Sequence, residues 1–198
     1  MSTYTQIMNV MHEARANKEV MLIAVQQRGR VLSTASSNLK RDKDVVFKAA
    51  KQNVTALEFA DNELLSDFEF MWSLARENPM AVSYMKLKYE LAKMLMMRII
   101  QENPLALRYA YRSLKADKEI LRVAVRKSSA VLRYASKSLR ANKKLVLLAV
   151  KQDGNALQCA SEALRNDEEV VLTAIRQHSS ALKYASPRLQ TLYAGLNR

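Results

Sequence analysis

The stretch KADKEILRVAVRKSSAVLRYASKSL, Lys115 to Leu139, recurs along the chain every 25 residues without insertion or deletion. Ala124 corresponds to Ala24, Ala49, Leu74, Ile99, Ala149 and Ala174. Leu132 corresponds to Leu32, Leu57, Val82, Leu107, Leu157 and Leu182, and Leu139 to Leu39, Leu64, Tyr89, Leu114, Leu164 and Leu189. Seven units therefore run from Arg15 to Leu189. A fixed period between about 20 and 50 residues marks units too small to bury an apolar face alone, which stack on their neighbours. The period predicts an all-α fold, an α-solenoid of about seven 25-residue helix-turn-helix units.

Within Lys115–Leu139, Asp117 is placed to accept from the open amides of a first helical turn, and Glu119 stands where the helix dipole favours an anion. Asn17, Asp42, Asp67, Asn142 and Asp167 occupy the same slot. Ile120, Leu121, Ala124 and Val125 then line one face of an α-helix about three turns long. Short polar breaks follow in each unit, among them Asn78-Pro79, Asn103-Pro104 and Ser128-Ser129. A second helix is expected after the break, its apolar face formed by Val131, Leu132, Tyr134 and Ala135, with Leu139 closing the unit.

Residues 1–14 carry Ile7, Val10, Met11 and Ala14 at helical spacing and are expected to form an N-terminal capping helix. The solenoid is expected over 15–189, with a C-terminal cap over 190–198. Its middle departs from the pattern. Six of the ten methionines lie between Met71 and Met97, which suits adaptable packing. The cap slot there holds Ala92 and the closing slot Tyr89. With no Gly, Pro or capping residue between them, residues 79–102 are expected to run as one long helix, joining halves at about 15–78 and 104–189.

Composition narrows the function. Two histidines, His12 and His178, one cysteine and no Gly-rich phosphate loop leave no metal or catalytic constellation, so no enzyme, metal or cofactor is expected. Cys159 falls in the slot held by Tyr109, Tyr134 and Tyr184, a packing position. No apolar run reaches the roughly 18 residues of a membrane span and no signal core opens the chain. A cytoplasmic protein, or one delivered into a host cytoplasm, is expected.

Charge is the distinctive quantity. Residues 1–89 hold 12 basic and 10 acidic residues, whereas residues 90–198 hold 20 basic and 9 acidic. Between Arg108 and Lys151 there are 13 basic residues against Asp117 and Glu119. Arg126 and Lys151 are expected opposite the apolar face of the first helices, where a cation in the last turn also offsets the dipole. Arg108 with Arg112, and Arg133 with Lys137, are like-charged pairs four residues apart. On one helix each such pair costs about 0.2–0.5 kcal/mol, a cost an anionic partner would relieve. Arg108, Arg112, Arg126, Arg133, Lys137 and Lys151 are the expected basic ladder, with Tyr109 and Tyr134 at its edge.

The segments KEILRVAVRKSSAVLRYASKSLRAN (118–142), KLVLLAVKQDGNALQCASEALRND (144–167) and EVVLTAIRQHSSALKYASPRL (169–189) resemble the repeats of the family called domain of unknown function 4116. The resemblance is weak only from Phe68 to Glu102. It implies a tandem helical array of the kind found in secreted effectors of intracellular bacteria and in some protist and viral proteins, and supplies no catalytic residues. The expected function is a non-enzymatic scaffold binding a protein with an acidic surface, as an effector or inhibitor. The alternative is sequence-independent binding of nucleic-acid phosphates.

Overall fold

In the computed structural model, which describes residues 13–197, six of the seven long helices begin at the cap slot. The Asn17 side chain accepts from the Glu19 and Val20 amides, Asp42 from Asp44 and Val45, Asp117 from Glu119 and Ile120. Asp67, Asn142 and Asp167 each cap in the same way. The long helices that follow are Lys18–Gln27, Lys43–Gln52, Phe68–Glu77, Lys118–Lys127, Lys143–Val150 and Glu168–Gln177. Each has one apolar face turned inward: Ile120, Leu121, Ala124 and Val125 are buried in the Lys118–Lys127 helix. The fold is all-α, with no strand among the described residues.

The second half of each unit differs from the expected single α-helix. In five of the seven units it is a six-residue 3-10 helix, then two extended residues, then a four-residue α-turn. In the opening unit these are Ser129–Tyr134, Ala135 with Ser136, and Lys137–Arg140. The elbow has two causes. The Ser136 amide donates to the carbonyl of Lys115, the first residue of the same unit, at 3.0 Å, and Ser161 and Ser186 bond Arg140 and Arg165 identically. Ser136 Oγ then accepts from the Leu139 amide, as Ser161 does from Leu164 and Ser186 from Leu189, capping a new turn. Leu132 and Leu139, on either side of the elbow, are both buried as expected.

The long helix expected over 79–102 is corrected. Pro79–Tyr84 is a 3-10 helix, residues 85–88 are not helical, and the helix itself runs Tyr89–Glu102. The missing cap at Ala92 does fuse two elements: the Ala92 amide donates to Lys88 at 2.8 Å and the closing turn continues into the next long helix. What the expectation lacked was the elbow, since Lys86 donates to Leu65 at 2.7 Å and holds the chain extended there. Met71, Met85 and Met96 are fully buried, whereas Met94 is 60 % exposed.

The chain divides into two compact units, Met1–Leu95 and Met96–Arg198. Within the first, successive long helices pack side by side and successive 3-10 helices do the same, and the second unit repeats both relations. Two glycines tighten this packing. A Cβ on Gly29 would fall 2.3 Å from the Ala49 carbonyl oxygen, and one on Gly154 2.2 Å from that of Ala174. The N-terminal capping helix expected over residues 1–14 lies, apart from its last two residues, outside the described residues. At the other end, Pro187–Tyr193 and a 3-10 turn, Ala194–Asn197, occupy the region expected as a cap.

Candidate functional site

The elbow redistributes the expected basic ladder. Arg108 lies in the last turn of the 3-10 helix Pro104–Tyr109 and Arg112 opens the turn Arg112–Lys115, with extended Ala110 and Tyr111 between the two elements. Arg133 and Lys137 are separated by Ala135 and Ser136 in the same way. The two pairs therefore do not share a helix, and the like-charge helix penalty does not apply to them.

The Arg108 guanidinium stacks over the Tyr109 ring at 4.9 Å, a cation–π contact, while its carbonyl accepts from the Lys115 ammonium at 2.6 Å. Arg133 turns toward Cys159. Burial pushes that thiol up from its ordinary range, against the opposing pull of Arg133 and Arg140. A raised thiol pKa lowers the thiolate fraction, which suits the packing role expected from the slot. His178 is exposed, 3.2 Å from Asp153.

Arg112 and Lys137 meet, together with Tyr134, in an open groove of about 570 Å³. Lys115 and Arg140 complete its cationic lining, and Ala135 and Ser136 of the elbow form its remaining wall. Sequence reasoning missed those two residues. Lys115 opens and Arg140 follows the repeat that was read for charge, but only the turn from 137 to 140 brings both to the same groove as Arg112. Burial holds the Lys115 ammonium below its ordinary pKa, and Arg140 Nε is shut from solvent with no hydrogen-bond partner. No carboxylate lines the groove.

Arg126 lies elsewhere. It lines a second groove, about 280 Å³, with Lys118, Arg122, Asn142 and Lys144, over Leu145 and Leu148. Lys151, at the C-terminal end of the Lys143–Val150 helix, is exposed and lines neither groove. Of the six expected residues, Arg112 and Lys137 thus share one groove, while Arg108, Arg126, Arg133 and Lys151 lie outside it. Among the described residues no cluster of three metal-ligating side chains occurs, and no helix is long and apolar enough to cross a membrane.

The family model described as domain of unknown function (DUF4116) matches residues 17–65, 95–140 and 142–190. The interval between its first two matches takes in Phe68–Glu77 and the fused Tyr89 end of the following helix, where the caps and closing residues depart from the repeat. No curated protein and no solved structure matches the chain.

Proposed function

We propose, from the premise that the chain belongs to the family of domain of unknown function DUF4116, that it is a non-enzymatic α-solenoid scaffold of about seven 25-residue units which docks an acidic protein segment. The docking site is the groove of Arg112, Lys115, Tyr134, Lys137 and Arg140. Tandem helical units expose a continuous surface and are suited to binding extended partners.

One observation carries this reading: four cations and an aromatic ring converge on an open groove with no carboxylate in its lining. Extent favours a peptide over a phosphate backbone. The slot of Arg112 and Lys137 is next filled by Glu162 and then Pro187, so the basic row stops after two units. Arg108 is engaged with its own tyrosine and Arg133 with Cys159. A nucleic-acid backbone, carrying a charge at every nucleotide, calls for a longer row.

Fluorescence anisotropy of a labelled glutamate-rich peptide, and separately of a single-stranded DNA of equal charge, tests the proposal in the wild type and in Arg112→Glu with Lys137→Glu. Peptide binding that falls at least tenfold in the variant supports it. DNA binding with a steep salt dependence and no peptide binding would establish the nucleic-acid reading instead, and absence of both would remove the groove from consideration.

A further inference from the structure

The repeat has a built-in ion pair. The lysine that opens one long helix reaches the cap acid of the next unit and the acid two residues beyond. Lys18 lies 2.8 Å from Asp42 and 2.9 Å from Asp44; Lys143 lies 2.7 Å from Asp167 and 2.8 Å from Glu169; Lys43 lies 2.6 Å from Asp67. At the step from Lys118, the same two positions hold Asn142 and Lys144. One acceptor has become an amide and the other a cation.

The neighbouring slot changes in the same direction. Lys51 pairs with Glu77 at 3.0 Å, whereas Arg126, three units on, meets the slot of Gln152, whose side chain donates to the Arg126 carbonyl at 3.3 Å. The result is the second groove, in which Lys118, Arg122 and Arg126 stand four residues apart along one stripe of their helix, about 6 Å of rise per step. Lys144 faces them from the next helix. None of these four residues has an ion-pair partner among the described residues, and no carboxylate lines the groove. Asn142 Oδ1 already accepts from the Leu145 amide, so its side-chain N–H groups are the part left to a ligand.

Size and charge select the ligand. A volume of about 280 Å³, about half that of the peptide groove, is at the small end for a ligand site and favours a compact ligand. Four cations exceed what a single carboxylate neutralises. Two guanidinium forks suit tetrahedral oxyanions bidentately and two ammonium groups add point charge, which together fit a multivalent phosphoryl group. We infer that this groove binds a small diphosphate-type anion on Lys118, Arg122, Arg126 and Lys144, with Leu145 and Leu148 beneath whatever apolar body the anion carries.

The site shares no residue with the peptide groove, so the two proposals fail separately. The test titrates the full chain with sodium pyrophosphate at constant ionic strength, balanced with NaCl, following Tm and heat. A saturable rise in Tm is expected, because a ligand that binds only the folded state stabilises it. Lys144→Glu puts an acid back where Asp44 and Glu169 stand. It is expected to raise Tm without ligand and to weaken pyrophosphate at least tenfold. Lys144→Gln, which removes charge without restoring the pair, is expected to weaken it less, and Arg112→Glu not at all. ADP beside pyrophosphate separates the sources: tighter ADP indicates a nucleotide, equal binding a free diphosphate, and either supports the site. A response no larger than that of matched NaCl, or one indifferent to Lys144→Glu, would overturn it, as would a glutamate-rich peptide binding this groove in place of pyrophosphate.

Discussion

The Met1–Leu95 and Met96–Arg198 units are built from the same 25-residue pattern and pack their helices alike, yet they treat surface charge in opposite ways. In the first, cations are matched across units: Lys18 with Asp42, Arg30 with Glu58, Arg41 with Asp61, Lys43 with Asp67 and Lys51 with Glu77. In the second, Lys143 pairs with Asp167 and Arg188 with Glu168, while Arg112, Arg122, Arg126, Lys137 and Lys144 line grooves free of acid. The difference teaches that ion pairing is not what holds the repeat together, since exposed pairs are worth about 0–1 kcal/mol and the Lys118–Lys127 helix packs as its counterparts do although Lys118, Arg122 and Arg126 face no acid. Apolar packing holds both, and charge is left for another use.

The largest expected effect tests the shared half of this comparison. Leu57 and Leu132 occupy equivalent slots and neither has any exposed surface. Leu57→Ala and Leu132→Ala should each cost about 2–5 kcal/mol, by similar amounts, in denaturant unfolding followed by hydrogen exchange in the mutated unit. A loss in the second unit well below that in the first would mean the basic unit relies on a different core.

Gly29 and Gly154 should give the next effect. Each starts a 3-10 helix against a backbone carbonyl of the next long helix, at a distance no Cβ can occupy. Gly29→Ala and Gly154→Ala should each destabilise by about 1–3 kcal/mol, read as a lower denaturation midpoint at unchanged slope. Val54 fills the same slot in the second repeat and is buried there, so the close approach belongs to particular steps and not to the repeat as such. Equal stability of both variants would show that the neighbouring helices shift at little cost.

What the sequence made legible follows from which positions obey a strict slot rule. The cap at Asp117, the buried Ala124 and Leu132, and the closing Leu139 all stand where the 25-residue period puts them. The elbow was missed because Val131, Leu132, Tyr134 and Ala135 suit a 3-10 helix and an α-helix alike over so short a span. The available signal was the Ser136 and Ser161 slot, three residues before a leucine, which is an N-cap spacing. That omission carried into the site. On one continuous helix Arg108 and Arg112 would be neighbours; with the elbow, Arg112 instead joins Lys115 and Arg140 in one groove. Lys118, Arg122 and Lys144 were legible only as loss of an acid partner, a comparison that needs the pairs of the first unit in view.

Salt should separate the units more gently. Raising NaCl from 0.05 to 0.5 M shortens the screening length severalfold, weakening exposed attractions and repulsions together. Amides of the Lys43–Gln52 helix should exchange faster, by about twofold or less, and those of the Lys118–Lys127 helix more slowly by a similar factor. The same sign in both helices would refute the contrast between paired and unpaired charge.

Acid gives the smallest effect and the one that can be moved from one unit to the other. The Asp67 carboxyl is held below its ordinary pKa first by the Lys43 ammonium and then by the Phe70 amide, against burial. For Asp61 the Glu63 amide and then Arg41 act in the same direction. A carboxyl whose pKa is depressed by folding binds fewer protons folded than unfolded. Its contribution is therefore complete above the unfolded value, about 3.9, and is lost as pH falls through the lower folded value. Asp67→Asn keeps a capping side chain but removes this dependence, so it should lower Tm at pH 7 by about 2 °C, with the difference from wild type shrinking as pH falls below about 3.9. Asn142→Asp should do the converse, because an acid at that slot faces Lys118 as Asp42 faces Lys18. A rise in Tm at pH 7 that vanishes on acidification would show that one residue converts the second unit's groove into the first unit's pairing, and a rise that persists at pH 2.5 would assign the gain to the cap alone.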